Sequence, residues 1–282
     1  MSRFAIAGLQ LALEHGNNQD MILREIRLVK RRFPWVNMVV LSELATYGAN
    51  PDKAIRAGHD TEQRYCEAAA TLGIWLIPGS LYERRGEQIF NMSPVICPDG
   101  EVVARYCKMY PFLPYESGVA AGTEPVVFDV SGVGRFGVSI CYDKWFPETT
   151  RALVWQGAEV IIHPTLTNTI DRDVELAMTR SSAATNQCYF FDINTAAPMA
   201  FGQSMVAGPG GEVIHQAGRA AEVFPIEVDL DYVRRVRRQG WHGLGQPLKS
   251  FRDSGHEYPQ YTGIASSTLA DLGPLEVPRT LG

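Results

Sequence analysis

The sequence predicts an α/β fold, because strand-like apolar runs alternate with amphipathic helical stretches along most of the chain. RFAIAGLQL at the N-terminus is typical of a strand, and NNQDMILREIRLVKRRF has apolar residues at helical spacing. The valine-rich VNMVVLSEL follows and predicts a buried strand that ends in polar residues. With 282 residues, of which 45% are hydrophobic, the chain is long enough to form a large core.

The same alternation continues after these three elements. Further helices are predicted in DTEQRYCEAAATLG, in residues 147–156 and in DRDVELAMTRSSAATNQ. Further strands are predicted in IWLIPGSLYER, NMSPVICPDGEVVARYCK, PVVFDVSGVGRFGVSICYD, AEVIIHPT, CYFFDINTA, QSMVAGPGGEVIHQAG and AEVFPIEVDL. VICPDGEVVAR resembles MVAGPGGEVIH, since each has two apolar runs around a Pro-x-Gly turn. Either hairpins simply look alike, or the chain has two similar halves, each a sheet with helices on one face.

The charge and the cysteine pattern exclude several classes of protein. The net charge of −5 argues against nucleic-acid binding, and we interpret the basic VRRVRRQ near residues 233–239 as a solvated helix face. The apolar runs are shorter than the ~18 residues that span a membrane, and the N-terminus lacks the features of a signal peptide. Five cysteines without CxxC spacing predict free thiols, no zinc site and a cytoplasmic location.

The domain organisation is predicted to be simple. No linker or low-complexity segment divides residues 1–240, so we expect one domain there. Residues 241–282 are rich in Gly, Pro and Ser and show little periodicity. We expect them to form an extended C-terminal tail, disordered or packed on the domain or on a partner subunit.

Two apparent motifs do not fit their context. The GVGRFG segment at residues 132–137 matches the dinucleotide-binding pattern, but it precedes a strand and so predicts a hairpin turn. The histidines are isolated, without the paired spacing of metal ligands.

Cys141 lies where a predicted strand passes into a predicted helix. Backbone N–H groups converge at such a junction, and together with the helix dipole they favour a thiolate and a developing oxyanion. The alternative is a small buried hydrophobic residue, the usual role of a free cysteine. A nucleophilic thiol also needs a base and a cation, and Glu43 and Lys108 each end an apolar strand.

These motifs together resemble the nitrilase superfamily of carbon–nitrogen hydrolases. The resemblance implies a catalytic triad of Glu43 in SELATYG, Lys108 in CKMYPF and Cys141 in SICYDKWFPE. It also implies a second glutamate, Glu116 in PYESG, and a four-layer α-β-β-α sandwich of two mixed sheets. Members form homodimers or higher oligomers, often through the segment after the cysteine and an extended tail. The Tyr142 and Asp143 pair after the cysteine is similar to the amidase and carbamoylase branches.

The function implied is hydrolysis of a small-molecule amide or N-carbamoyl group through a cysteine thioester, with no metal or organic cofactor. Glu43 would be the base, and Lys108 with the Tyr142 N–H would stabilise the oxyanion. A true nitrilase, an acyl transferase and a non-catalytic scaffold are the alternatives. We expect Tyr47, Tyr115 and Trp145 to line the substrate pocket. Lys144 stands where some carbamoylases hold a substrate carboxylate with an arginine, although a surface lysine is the more ordinary interpretation.

Overall fold

The computed structural model describes residues 3–113, 115–270, 272, 273 and 275, and within them two β-sheets pack face to face. The strands, in chain order, are β1 (Arg3–Gln10), β2 (Met38–Val40), β3 (Trp75–Ile77), β4 (Leu81–Arg85), β5 (Gln88–Ile96), β6 (Val102–Cys107), β7 (Val126–Val130), β8 (Gly134–Val138), β9 (Val160–Pro164), β10 (Tyr189–Ile193), β11 (Met205–Ala207), β12 (Val213–Gln216) and β13 (Glu222–Asp229). The helices are α1 (Gln19–Arg32), α2 (Asp60–Leu72), α3 (Pro147–Trp155), α4 (Arg172–Asn186), α5 (Leu230–Gln239), α6 (Pro247–Asp253) and α7 (Ser267–Ala270).

The two sheets have related topologies. The first sheet has the order β13-β1-β2-β3-β5-β4, with β6 paired to β5, and the second has the order β12-β11-β10-β9-β8-β7. Strands β1, β2 and β3 are parallel, as are β8, β9 and β10, while the strands that flank each trio are antiparallel. Both sheets are therefore mixed, and their common layout favours the interpretation as two similar halves.

Side chains alternate between the two faces of each sheet, and both faces are buried. Ile6 and Val40 of the first sheet share a buried cluster with Val138 and Ile162 of the second. Ala7, one residue further along β1, joins instead a cluster formed with α1 and α2. Burial on both faces explains why these strands are continuous apolar runs.

The outer face of the second sheet is covered in the same way, by α3 and α4. Ile161 and Phe190 of the sheet share a buried cluster with Leu153 of α3 and Ala183 of α4. The layers are thus helices, sheet, sheet and helices, which confirms the predicted four-layer α-β-β-α sandwich.

Helix α5 carries the VRRVRRQ segment, and the prediction of a solvated face is wrong for half of its arginines. Arg234 Nε donates to Glu159 Oε1 at 2.7 Å, and Arg237 donates to the carbonyl oxygen of Ala158 at 2.6 Å. Val233 and Val236 of the same helix are buried. These contacts bind α5 to the strand β9 region, whereas Arg235 and Arg238 are exposed.

Part of the C-terminal segment is helical, whereas the sequence predicted an extended tail. Pro247 supplies the fixed φ that suits a first helical turn, and α6 begins there. The Phe251 ring of α6 lies 5.6 Å from the Trp155 ring of α3, and the Tyr261 hydroxyl donates to Glu148 Oε1 at 3.1 Å. The segment therefore contacts α3 of its own chain. None of the helices in the described residues is both long and apolar enough to cross a lipid bilayer.

Candidate active site

The candidate site lies where the carboxyl ends of the parallel strands of both sheets meet. Glu43 follows the end of β2 by three residues, and Cys141 follows the end of β8 by the same number. Lys108 comes directly after β6. Residues beyond the carboxyl ends of strands commonly form binding sites in α/β proteins, because the loops there converge.

Four buried polar side chains form what we term the Lys108 cluster: Glu43, Asn91, Lys108 and Glu116. Lys108 Nζ donates to Glu43 Oε1 at 2.8 Å and to Glu116 Oε2 at 2.7 Å. Asn91 Nδ2 donates to Glu43 Oε1 at 2.8 Å and to Glu116 Oε1 at 2.7 Å. The ammonium and the amide thus join the same two carboxyl groups from two sides.

The charges in this cluster are not balanced, since one ammonium faces two carboxyl groups. Burial raises the pKa of Glu43; the charge of Lys108 opposes this rise and the charge of Glu116 adds to it. Burial would lower the pKa of Lys108, but the charges of Glu43, Cys141 and Glu116 hold it well above its ordinary value. Lys108 is therefore an ammonium, and Glu43 takes up a proton more readily than an ordinary carboxylate.

Cys141 completes the arrangement. Its thiol lies beside the Glu43 carboxyl group, close enough for the charge of one to act on the other, and its sulfur also faces the backbone N–H of Leu166. Burial, followed by the charge of Glu43, raises the pKa of the Cys141 thiol well above its ordinary value. The resting thiol is therefore neutral, and it needs a base at the moment of attack.

The backbone of Cys141 lies in the left-handed region, with a φ of 46°. A non-glycine residue there costs about 1–3 kcal/mol and is kept only where its surroundings impose it. Asp143, which is fully buried, supplies that constraint: its carboxylate accepts from the Ile140 N–H at 2.9 Å and from the Tyr106 hydroxyl at 2.6 Å. Burial raises the pKa of Asp143 to about 6. From the sequence, Asp143 was linked only to the amidase and carbamoylase branches, and this structural role was not predicted.

The thiol and the Lys108 cluster open onto one cavity of about 320 Å³. Its walls contain aromatic, apolar and polar side chains. They are Glu43, Leu44, Ala49, Tyr82, Lys108, Phe112, Tyr115, Glu116, Cys141, Tyr142, Trp145, Leu166, Thr167, Asn168, Thr169, Asp171 and Glu175. Seven of the nine residues predicted for the site lie on this cavity; the exceptions are Tyr47 and Lys144.

Tyr47 lines a neighbouring cavity beside His15, Asn17 and His59. Its hydroxyl forms a 2.6 Å hydrogen bond with Thr61 Oγ1 at the start of α2. Its predicted place in the wall is therefore wrong in this structure, because the side chain packs toward α2.

Lys144 is neither on the surface nor on the cavity wall. Its side chain is fully buried, and Nζ lies 2.8 Å from Asp192 Oδ2. Arg172 NH1 bonds the same oxygen at 3.0 Å and Glu175 Oε2 at 3.1 Å. We term these four residues the Lys144 network. Both interpretations of Lys144, as a surface charge and as a ligand for a substrate carboxylate, are therefore wrong here, because Asp192 holds the ammonium.

Several residues of the site were missed by the sequence analysis. Asn91 lies inside β5, and a polar residue within an apolar strand was its available signal. Tyr82 lines the cavity near Glu116, and burial raises the pKa of its hydroxyl well above the ordinary value. Glu175, on α4, accepts from Thr167 Oγ1 at 2.7 Å. Nothing in the local pattern of α4 separates Glu175 from an ordinary helix surface residue.

Comparison with known proteins identifies the family to which the chain belongs. The model of the carbon–nitrogen hydrolase family matches residues 3–238. The omega-amidase NIT2 of Homo sapiens is 27% identical over 262 residues, which cover 85% of this chain and 93% of that protein. A formamidase of Bacillus cereus is 28% identical over 256 residues, or 83% of this chain and 74% of that protein.

Solved structures show the same fold. Nit3 of Saccharomyces cerevisiae, a member of the nitrilase superfamily, superposes with a TM-score of 0.78 at 24% identity, covering 84% of this chain and 94% of Nit3. A carbon–nitrogen hydrolase of Helicobacter pylori superposes with a TM-score of 0.76 at 24% identity, covering 91% of this chain and 99% of that one. The chain therefore belongs to the carbon–nitrogen hydrolase family.

Proposed function

We propose that this enzyme hydrolyses the C–N bond of small amides or N-carbamoyl compounds, with Cys141 as the nucleophile. The observation that carries the proposal is the position of Glu43. Its carboxyl group accepts a hydrogen bond from the Lys108 ammonium and lies beside the Cys141 thiol, inside a cluster that opens onto the cavity. A base, a nucleophile and a cation are thus within contact of one another, as covalent catalysis requires.

In the first step, Glu43 accepts the thiol proton as the sulfur of Cys141 attacks the carbonyl carbon. The S–C bond forms, and the carbonyl oxygen becomes an oxyanion. An ammonium has three N–H groups, and among the described residues two acceptors, Glu43 and Glu116, accept hydrogen bonds from Lys108. The third N–H and the backbone N–H of Tyr142 are the donors for the oxyanion. One such donor is worth about 3–4 kcal/mol in the transition state.

In the second step, Glu43 returns the proton to the leaving nitrogen, the C–N bond breaks, and a thioester remains on Cys141. Water then attacks the thioester while Glu43 accepts its proton. The C–S bond breaks, and the proton restores the thiol. The raised pKa of Glu43 suits both directions of transfer, because a group near the operating pH serves as acid and as base.

Glu116 has a different role in this proposal, because it bonds Lys108 and Asn91 and no described bond joins it to the thiol. The backbone N–H of Phe112 also donates to it, at 2.7 Å. Held in this way, Glu116 orients the Lys108 ammonium and keeps it charged.

The names of the relatives support an amide rather than a nitrile as the substrate, since they are called omega-amidase and formamidase. We also propose a reducing, cytoplasmic location, because all five cysteines are free thiols, and a homodimer or higher oligomer. Light scattering on the purified protein tests the assembly.

A screen for ammonia release tests the function, with simple amides, N-carbamoyl amino acids and nitriles as substrates. We expect ammonia from amides or carbamoyl compounds, and a loss of at least about 10⁴-fold in Cys141→Ala, because the nucleophile is removed. Cys66→Ala is the matched control, since Cys66 is a free thiol outside the cavity. Unchanged hydrolysis by Cys141→Ala would refute the proposal. Intact mass measurement of the acylated protein tests the thioester directly.

A further inference from the structure

The cavity continues beyond the thiol to a wall that carries two more acidic residues. Asp171 and Glu175 line it, on the side formed by the loop after β9 and the start of α4. Among the described residues that line the cavity, Lys108 has the only cationic side chain, against four carboxyl groups. A ligand in this space therefore meets mainly negative charge.

The Lys108 ammonium is not available to a distant part of a substrate. It donates to Glu43 at 2.8 Å and to Glu116 at 2.7 Å, and its side chain is 2% exposed. To bind a carboxylate elsewhere in the cavity, Lys108 would have to leave one of these buried carboxyl groups without its cation. Removal of the cation from a buried ion pair is strongly destabilising, so such binding does not compete with the existing arrangement.

The two other cations near the wall are held behind it. Lys144 Nζ is bound by Asp192 at 2.8 Å. Arg172 is shared among Asp192, Glu175 and the carbonyl oxygen of Gln203, the last at 2.7 Å. Neither cation lines the cavity, and both are buried.

The rest of the wall suits an apolar or positively charged group. The rings of Phe112 and Tyr142 lie 4.9 Å apart, and those of Tyr142 and Trp145 lie 6.2 Å apart. Tyr115 stacks on Phe112 at 5.5 Å. Aromatic faces attract ammonium groups and alkyl chains, whereas their negative potential repels carboxylates.

The acidic wall is close enough to act on the reacting sulfur. After burial and Glu43, the charge of Glu175 also raises the pKa of the Cys141 thiol. A carboxylate on a substrate bound at Cys141 would therefore lie within electrostatic range of Glu175.

We propose that this site takes amides whose far end is uncharged or positively charged, and that Asp171 is the main residue that discriminates against amides with a carboxylate there. Glu175, which Arg172 partly neutralises from behind the wall, adds to this effect. The inference rests on the proposed function and narrows its substrates. It removes N-carbamoyl amino acids from the preferred class.

Three amides of equal length test it: hexanamide, δ-aminovaleramide and glutaramic acid, which end in a methyl, an ammonium and a carboxylate group. We expect kcat/KM for glutaramic acid to be at least about tenfold below that for hexanamide, because like charges meet in a buried site. We expect δ-aminovaleramide to match or exceed hexanamide. Glutaramic acid hydrolysed as fast as hexanamide, or faster than δ-aminovaleramide, would overturn the proposal.

The variant Asp171→Asn tests the origin of the discrimination. Asp171 accepts a hydrogen bond from Thr169 at 3.0 Å, which asparagine can also accept, so the loop is retained. We expect the ratio between hexanamide and glutaramic acid to shrink by about 3- to 10-fold as one charge is lost. Asp173→Asn, an exposed change two residues away, is the matched control and leaves the ratio unchanged. An unchanged ratio in Asp171→Asn would overturn the role of this residue.

Failure of the proposed function is distinguishable from failure of this inference. If none of the three compounds releases ammonia, the function as an amidase is wrong. Calorimetric titration of the same compounds into Cys141→Ala then still measures the charge preference of the cavity. Weakest binding of glutaramic acid supports the inference, and equal or tighter binding of it, or no binding of any compound, overturns it.

Discussion

The molecule contains two buried groups of charges, and they differ in their balance. In the Lys108 cluster one ammonium lies between two carboxyl groups. In the Lys144 network two cations, Lys144 and Arg172, face two carboxylates, Asp192 and Glu175. Both groups are almost fully removed from solvent, so the main difference between them is the balance of charge.

Because of this difference in charge balance, the pKa values of Asp192 and Glu43 are shifted in opposite directions. Burial alone would raise both carboxyl pKa values. The charges of Arg172 and Lys144 outweigh burial at Asp192 and hold its pKa well below the ordinary range. At Glu43 one ammonium does not outweigh burial and the second carboxyl group, so the pKa is raised. A balanced network fixes its protons and supports the structure, whereas an unbalanced cluster leaves a carboxyl group that can exchange one.

The largest expected effect comes from a change in the Lys108 cluster. Glu43→Gln keeps the size of the side chain but removes the base, so we expect kcat to fall by about 100- to 10,000-fold. Glu116→Gln is the matched control, since both residues bond Lys108 and Asn91 but only Glu43 lies beside the thiol. Steady-state kinetics on an amide measure both variants. A larger loss in Glu116→Gln than in Glu43→Gln would show that Glu43 is not the base.

The second prediction concerns the Lys144 network, in which the charges are balanced. Lys144→Met leaves Asp192 and Glu175 with a single cation, so we expect the free energy of unfolding to fall by about 3 kcal/mol. Denaturant unfolding measures this change. Lys53→Met, at an exposed position, is the control and should stay within about 0.5 kcal/mol of the parent protein. A Lys144→Met protein as stable as the control would show that the network contributes nothing to stability.

The third prediction concerns the pH dependence of the unaltered enzyme. Activity requires ionised Glu43, and its pKa lies above the ordinary 4.5, so kcat/KM falls as the pH drops through a midpoint above 4.5. The pKa values of Lys108 and Cys141 are both raised, so we expect no alkaline loss below about pH 9 from either group. A pH–rate profile checks both limbs. An acid limb at or below 4.5 contradicts the assignment of Glu43.

The smallest expected effect comes from the addition of a third carboxyl group to the Lys108 cluster, which makes its charges still less balanced. Asn91→Asp replaces the neutral amide with a third carboxyl group beside Glu43 and Glu116. We expect the acid limb of the pH–rate profile to rise by about one to two pH units, because a like charge disfavours ionisation. Asn91→Ser, which removes the amide without adding charge, should give a smaller rise. Equal shifts in the two variants would show that the lost hydrogen bonds, rather than charge, are responsible.

The fold was predictable because its signal is local. A strand buried on both faces is an apolar run, and β2 and β9 are visible as such in the sequence. The prediction of Glu43, Lys108 and Cys141 rested on a similar local signal, the polar end of an apolar strand, together with the resemblance to a family. The structure brings all three together with Glu116.

The errors arise where the environment of a residue depends on distant parts of the chain. Lys144 is buried because Asp192, 48 residues away, lies opposite it. Tyr47 is close to Glu43 in sequence, yet its hydroxyl bonds Thr61. Asn91 was missed because its two partners, Glu43 and Glu116, come from other segments. Local patterns contain no information on such pairings.

The site draws its two main reacting groups from different sheets. Glu43 follows β2 of the first sheet, and Cys141 follows β8 of the second, so their contact exists only when the two sheets have packed together. Before that moment in folding, Cys141 is an ordinary thiol and Glu43 an ordinary carboxylate. The return of hydrolysis during refolding would therefore report the docking of the two halves, separately from the return of helix and strand within each.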